Sequence, residues 1–400
     1  ASFCNNYSVN ISRVGDYLLQ AWLRVTLGAF TVAAAGVGNI VAASAVRWTR
    51  NFMHNLIKTC KIQFNDMLAE EFNSYNLDFW AAFSVPRSKQ GAYDAMIGNT
   101  AQVIGQVQET ASSTATTLML PLPFFFSRDS GVALPTAALP YNDMRISFEF
   151  RTVAELLVHQ NNTTNAYVAL NPSTDLTTLP TLSAVAVWGN YAIVSNDERK
   201  RMACAPRDIL IEQFESANQG SGTTLTAAAA GDETQVDIRF SHAVKLLMFG
   251  ARSVGLLSGA AEFSNYSSTL PAITAVSGSL PTWATGLTTE DPLDLVSLTY
   301  ENTTRLSAMD AEYFSCMQPY YQPGAAVPEA VGYHMYSYAL DFLNVDPTGS
   351  TNYGRLTQVS MKVTVTATAA ALSGTFKLHV MNIHNNIVRV SGGAMGFPVL

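Results

Sequence analysis

Between residues 144 and 151 apolar and polar side chains alternate without a break. Met144, Ile146, Phe148 and Phe150 fall on one side, and Arg145, Ser147, Glu149 and Arg151 on the other. A period of two predicts a half-buried strand. Upstream, a near-continuous apolar run from Leu118 through Phe124, Phe125 and Phe126 breaks at Ser127, Arg128, Asp129, Ser130 and Gly131, and a proline-punctuated connection follows. Residues 118–151 therefore read as strand, turn, long connection, strand. The same grammar returns later. Residues 336–342 alternate, Asp346, Pro347, Thr348 and Gly349 form a turn, and in 356–366 Thr357, Val359, Met361, Val363 and Val365 oppose Gln358, Ser360, Lys362, Thr364 and Thr366. The turns at Asp129 and Asp346 stand 217 residues apart in a chain of 400, which predicts two related β domains in tandem.

The remaining pattern fills in both halves. A long first strand is expected over 11–25, bulged at Gly15 and Asp16, and a second over 61–64 running into a turn at Asn65 and Asp66. A helix is expected over 75–83, opened by Asn73 or Ser74 and stopped by Pro86, with Tyr75, Phe79, Trp80 and Phe83 as a core-facing stripe. Residues 161–180 read as an exposed excursion and 185–194 as a strand. Ser195 and Glu198 form a capping box for a short charged helix. Beyond an Ala, Gly, Ser and Thr tract at 217–231, strands are expected over 236–240, 244–249 and 295–300, and a helical piece over 309–314. A terminal hairpin, 376–383 and 387–390, turns at Asn385 and Asn386. About eight strands per half joined by long loops fit a jelly roll better than a short-loop meander. The division expected is a first domain over 1–203, a linker over 204–220 and a second domain over 221–400.

Composition narrows the function. Hydrophobic residues make up 48% of the chain and charged residues only 13%, against roughly 25% in ordinary soluble domains, so much of the surface is expected to be hidden against neighbours. A net charge of −7 argues against direct nucleic-acid binding, which needs clustered Lys and Arg. Cys4, Cys60, Cys204 and Cys316 form no CxxC pair and read as buried, reduced thiols. The uncharged stretch between Arg24 and Arg47 is too rich in Ala and Gly for a membrane helix, and no signal peptide pattern opens the sequence.

Chemistry is scarce. No P-loop, GxGxxG, HExxH, EF-hand loop or GxSxG occurs. His379 and His384 lack further metal ligands beside them, and the charge run Asp197, Glu198, Arg199, Lys200 and Arg201 reads as a solvated helix face. Asp66, Glu70, Glu71 and Asp78 are carboxylates that spacing alone cannot set across a substrate. No catalytic, cofactor-binding or metal residue is assigned. Trp188, Trp283, Tyr320 and Tyr321 are candidates for stacking on sugars in a lectin-like alternative.

Longer strings are more specific. ISRVGDYLLQAWLRV, RWTRNFMHNLI, LDFWAAF, LPLPFFFSRDSGVALPTAALPYNDMRISF, VWGNYAIVSNDERKRM, DIRFSHAVK, DPTGSTNYGRLT and the closing NNIVRVSGGAMGFPVL occur in order along nearly the whole chain. Together they resemble the major capsid protein family of iridoviruses, within the nucleocytoplasmic large DNA viruses. The resemblance implies an all-β double jelly roll, two tandem eight-stranded sandwiches with short helices in the loops. It implies a virion structural protein without enzymatic activity, whose homotrimers form pseudo-hexagonal capsomers tiling an icosahedral shell. Implied partners are the protein itself, neighbouring capsomers, minor capsid proteins and an internal viral membrane, with assembly in the host cytoplasm and no cofactor. Family chains carry a further segment before the ISR strand. The low-charge loops over 155–184 and 253–290 are expected to form outward towers or clasps between subunits.

Overall fold

A computed structural model of the chain describes residues 2–42, 44–164, 166–225, 229–254, 262–274, 276–283, 285, 290–371 and 376–398. Their strands fall into two groups that share no sheet, one from residues 6–192 and one from 207–396.

In the first group Asn6–Asn10, Met144–Phe150, Ile57–Phe64 and Met67–Asn73 lie side by side in that order, all antiparallel. The alternation expected at 144–150 is present: Met144, Ile146, Phe148 and Phe150 are buried, and the residues between them are not. They join one core with Leu23, Val25 and Leu27 of Tyr17–Leu27, which is the centre of a second sheet ordered Leu182–Ala192, Tyr17–Leu27, Thr116–Pro121. Two smaller sheets, centred on Thr31–Val32 with Leu176–Thr178 and on Ser44–Trp48 with Leu157–Asn161, extend this side. The apolar run at 118–126 leaves its strand at Pro121, and Phe124, Phe125 and Phe126 plug the core beside a short 3-10 turn.

The second group repeats the first. Glu233–Asp237, Val359–Val365, Leu293–Tyr300 and Thr303–Asp310 again stand in the order first, fourth, second, third along the chain. The facing sheet orders Phe376–Ser391, Ala243–Ser253 and His334–Ser337 as the first half orders its three strands, with Arg207–Ser216 added at the outer edge of Phe376–Ser391. The tandem repeat expected from the two turns is thus written in strand order.

Several expectations need correction. Residues 11–16 are a loop, and the strand begins at Tyr17. Asp16 there accepts from Val194 N and is held by Arg199 at 2.8 Å, so the Gly15 and Asp16 pair anchors a connection instead of bulging a strand. Residues 204–220, expected as a linker, contain the ten-residue strand Arg207–Ser216, in unbroken register with 381–390. Asn385 and Asn386 do not turn the chain. They sit inside the 16-residue strand Phe376–Ser391, where Asn386 Nδ2 donates to Gln213 Oε1 at 2.8 Å on the neighbouring strand. Met309 lies inside the strand Thr303–Asp310, and the helical piece begins directly after it, at residue 311, and continues through Tyr313–Met317 and Gln318–Tyr321. Of the four cysteines, expected to be buried, only Cys60 is; Cys4 and Cys204 are exposed and Cys316 is half-buried. The helix at Ser74–Ser84 is present with an Asn73 capping box. Pro86 stops it but also opens a second helix, Arg87–Ile97, as proline at a first helical turn can.

Candidate assembly surfaces

The central strand of the second half shows how the halves are joined. Ala243–Ser253 is buried on both faces. Val244, Leu247, Phe249 and Ala251 enter its own core, whereas Leu246 and Met248 point the other way into the cluster shared with the first half. Against that outward face lies the helix Ser74–Ser84. Phe79 packs on Tyr266 and Tyr333, each at 4.9 Å between ring centroids, and Trp80 meets Phe214 at 6.0 Å and Phe342 at 6.3 Å. Gly250 allows the approach: a Cβ there would lie 2.6 Å from the Phe79 ring. Much of the hidden surface anticipated from the low charge content is therefore hidden within the chain.

Low-charge loops add to this contact. Glu262, Phe263, Ser264, Asn265, Tyr266, Ser267 and Ser268 are all buried, so this part of 253–290 is no outward tower, whereas Ala272, Thr274, Val276, Ser277 and Gly278 of the same loop are exposed; residues 255–261, 275, 284 and 286–289 lie outside the described residues. Within 155–184, Leu157–Asn161 is likewise a buried strand. Sparse charge here reflects burial, and the charges present are matched. Glu262 pairs with Arg47 at 2.6 Å. Arg151 and Arg252 both approach Phe263, at 4.1 and 4.6 Å from its ring centroid.

A second polar cluster crosses the same boundary. Lys245 Nζ donates to Glu212, Arg128 stands 3.8 Å from Glu212 and 3.7 Å over the Trp80 ring, and Glu70 accepts from Phe125 N at 2.9 Å. Burial lifts the Glu70 carboxyl to about 8, against the opposing pull of the Phe125 N–H and the Arg128 charge.

The other residues singled out from sequence are scattered. Glu71 pairs with half-buried Lys61, and Asp66 lies in a turn. Asp78 accepts from His54 Nδ1 and Ser264 Oγ, both at 2.5 Å, while His54 Nε2 meets Tyr93 at 2.7 Å. This has the residue types of a hydrolase triad, but the serine bonds the carboxylate and all of His54, Asp78 and Ser264 are buried. It pins the 262–268 segment to the first half. His379 stacks on Tyr75 at 4.0 Å and His384 on His242 at 4.6 Å, and burial lowers each to about 3. Among the described residues no group of three or more His, Cys, Asp or Glu is arranged to hold a metal, and no helix is long and apolar enough to cross a membrane. Trp283 lies near Arg47 and Arg50. Ser195 accepts from Glu198 N as expected, but the Glu198 carboxylate turns to Arg207.

Among the described residues, two surfaces carry large exposed aromatic side chains beside an exposed methionine. One is Tyr320 and Tyr321, 74% and 72% exposed, with Met317. The other is the outward face of the sheet containing Trp188, which is paired directly with Trp22 and is 50% exposed.

Two consecutive family descriptions cover this chain: "Major capsid protein N-terminus" over residues 1–194 and "Large eukaryotic DNA virus major capsid protein" over residues 198–396. The major capsid protein of Costelytra zealandica iridescent virus is 47% identical over 420 residues, covering 100% of this chain and 87% of its own length. The chain belongs to this family. The capsid protein of Frog virus 3 is 38% identical, covering 100% of this chain and 87% of that one. Among solved structures, the Faustovirus major capsid protein has a TM-score of 0.74 at 12% identity, covering 98% of this chain and 88% of its own. The PBCV-1 virus capsid protein has 0.71 at 20%, covering 100% and 94%. At those identities the likeness speaks to fold alone, an all-β double jelly roll. The family match makes this capsid protein a structural component of the virion shell that assembles with its own kind. The lectin-like alternative finds no support.

Proposed function

We propose that three copies of this capsid protein close into one capsomer of pseudo-hexagonal outline, and that such capsomers tile an icosahedral shell. The observation that carries the reading is the repeat of strand order in two sandwiches locked by a buried contact. Three such chains supply six near-equivalent sandwiches, enough for a hexagonal ring from a three-fold assembly. The helix Asn196–Cys204 supports dividing the sandwiches near residue 205.

Minor capsid proteins cement neighbouring capsomers, and an internal membrane lies beneath the shell, with assembly in the host cytoplasm. The net charge of −7 favours a shell without direct nucleic-acid contact. The protein carries out no reaction: the Asp78 cluster, with the residue types of a triad, has its serine on the carboxylate and its members buried, and it positions a loop. Electron images of the purified protein provide the test. Class averages with a hexagonal outline and three-fold symmetry are expected; two-lobed single particles at every concentration would overturn the reading.

A further inference from the structure

The two sandwiches repeat one strand order, yet only one of two equivalent surfaces is covered within a single chain. In the first half the hairpin Ile57–Phe64 and Met67–Asn73 leads into the helix Ser74–Ser84, whose Phe79 and Trp80 pack on the second half. In the second half the equivalent hairpin, Leu293–Tyr300 and Thr303–Asp310, leads into the helical residues 313–321. Their Tyr320, Tyr321 and Met317 are 74%, 72% and 47% exposed.

The receiving surface repeats as well. Strands Phe376–Ser391, Ala243–Ser253 and His334–Ser337 offer Met381, Met248 and Met335 to the cluster shared with the first half, each at most 1% exposed. The equivalent strands Leu182–Ala192, Tyr17–Leu27 and Thr116–Pro121 carry Trp188, Trp22 and Met119 on the face turned from their own core. Trp188 is 50% and Met119 38% exposed. Two tryptophans paired across strands leave a large apolar area on this face, and large uncovered apolar patches mark interaction sites. Charge agrees: Arg24 lies on this face, and Asp310 and Glu312 are exposed where the strand Thr303–Asp310 passes into the helical residues.

We infer that these two uncovered surfaces mate between copies, the helical residues 313–321 of one capsid protein seating on the Trp22, Trp188 and Met119 face of the next. The contact between copies repeats the contact within each chain, so every sandwich meets its neighbours in one way around the ring. Because the two patches differ, the contact is heterologous, and it closes at three chains when each chain turns by one third of a circle from the last, one sixth for each sandwich. This rests on the trimeric reading above and adds which faces close it.

The test uses two variants of the full protein, Trp188→Glu on the sheet face and the double change Tyr320→Glu with Tyr321→Glu on the helical residues. Native mass is read by light scattering after size exclusion. The unaltered protein is expected at three chain masses and each variant alone at one. An equimolar mixture is expected at two, since one intact pair of faces survives and both free ends are dead. A variant that stays at three chain masses, or a mixture that stays at one, overturns the assignment. An unaltered protein at one chain mass instead removes the trimer itself. Circular dichroism and melting confirm folding, and a misfolded variant is replaced by Met119→Glu or Met317→Glu on the same surfaces.

Discussion

Replacing Glu70 by Gln tests the electrostatics of the contact between the sandwiches. Four ionisable groups meet there, Glu70, Glu212, Arg128 and Lys245, all of them buried or nearly so. Two cations face two carboxylates, so full ionisation would be neutral in sum, but removal from water dominates at Glu70 and lifts its carboxyl from 4.5 to about 8. The folded state then holds a proton that the unfolded chain has released. From about pH 4.5 to pH 8, each unit of pH removes about 1.36 kcal/mol of stability, and below 4.5 this group contributes no slope. The accumulated cost is about 5 kcal/mol at pH 8 and above. Glutamine keeps an oxygen to accept from Phe125 N and has no proton to lose. Urea unfolding at pH 5 and pH 9 is the assay. Glu70→Gln should match the unaltered protein at pH 5 to within about 1 kcal/mol and exceed it by about 3–5 kcal/mol at pH 9. If Glu70 is instead ionised and paired with Arg128, the variant will be less stable at both values, and the argument from burial fails.

Three further outcomes follow from the same contact. Gly250→Ala drives a Cβ to 2.6 Å from the Phe79 ring and 2.7 Å from the Gly332 carbonyl, and should cost about 1–3 kcal/mol in urea unfolding; an unchanged midpoint would mean the helix is not held against that strand. Glu262→Ala leaves Arg47 buried without its partner, a loss of about 3–5 kcal/mol. It should also open residues 262–268, buried in the unaltered protein, to limited proteolysis. His379 and His384 stay neutral in the folded state down to about 3, whereas unfolded histidines take up protons near 6.5, so their contribution to stability declines as pH falls from 6.5 toward 3. Melting temperatures of His379→Asn with His384→Asn should show a flatter acid limb, most plainly in a Glu70→Gln background where the opposing slope is gone.

Strand periodicity was legible wherever one face meets a core and the other meets water, as at 144–150 and 359–365. It failed where both faces are covered. Asn385 and Asn386 looked like a turn because nothing in their own neighbourhood names Gln213, the distant residue that receives Asn386 inside the sheet. The low charge of 253–290 suggested a surface loop, yet in Glu262–Ser268 it accompanies burial, and the partner that would have revealed this, Arg47, is over two hundred residues away. The strand Arg207–Ser216 was hidden beside the small-residue tract at 217–231, which reads as a linker by composition. The tandem repeat was visible from two turns and two alternating strands because each sandwich spends its clearest pattern on the same fourth strand of the same sheet. The exposed Trp188, Tyr320 and Tyr321 were noticed for their chemistry, but only the repeat in three dimensions gives them a common purpose.

The native mass of the purified protein across a dilution series in moderate salt tests the central claim most directly. A species of three chain masses that persists on dilution is predicted, and a protein that remains at one chain mass at every concentration would contradict it.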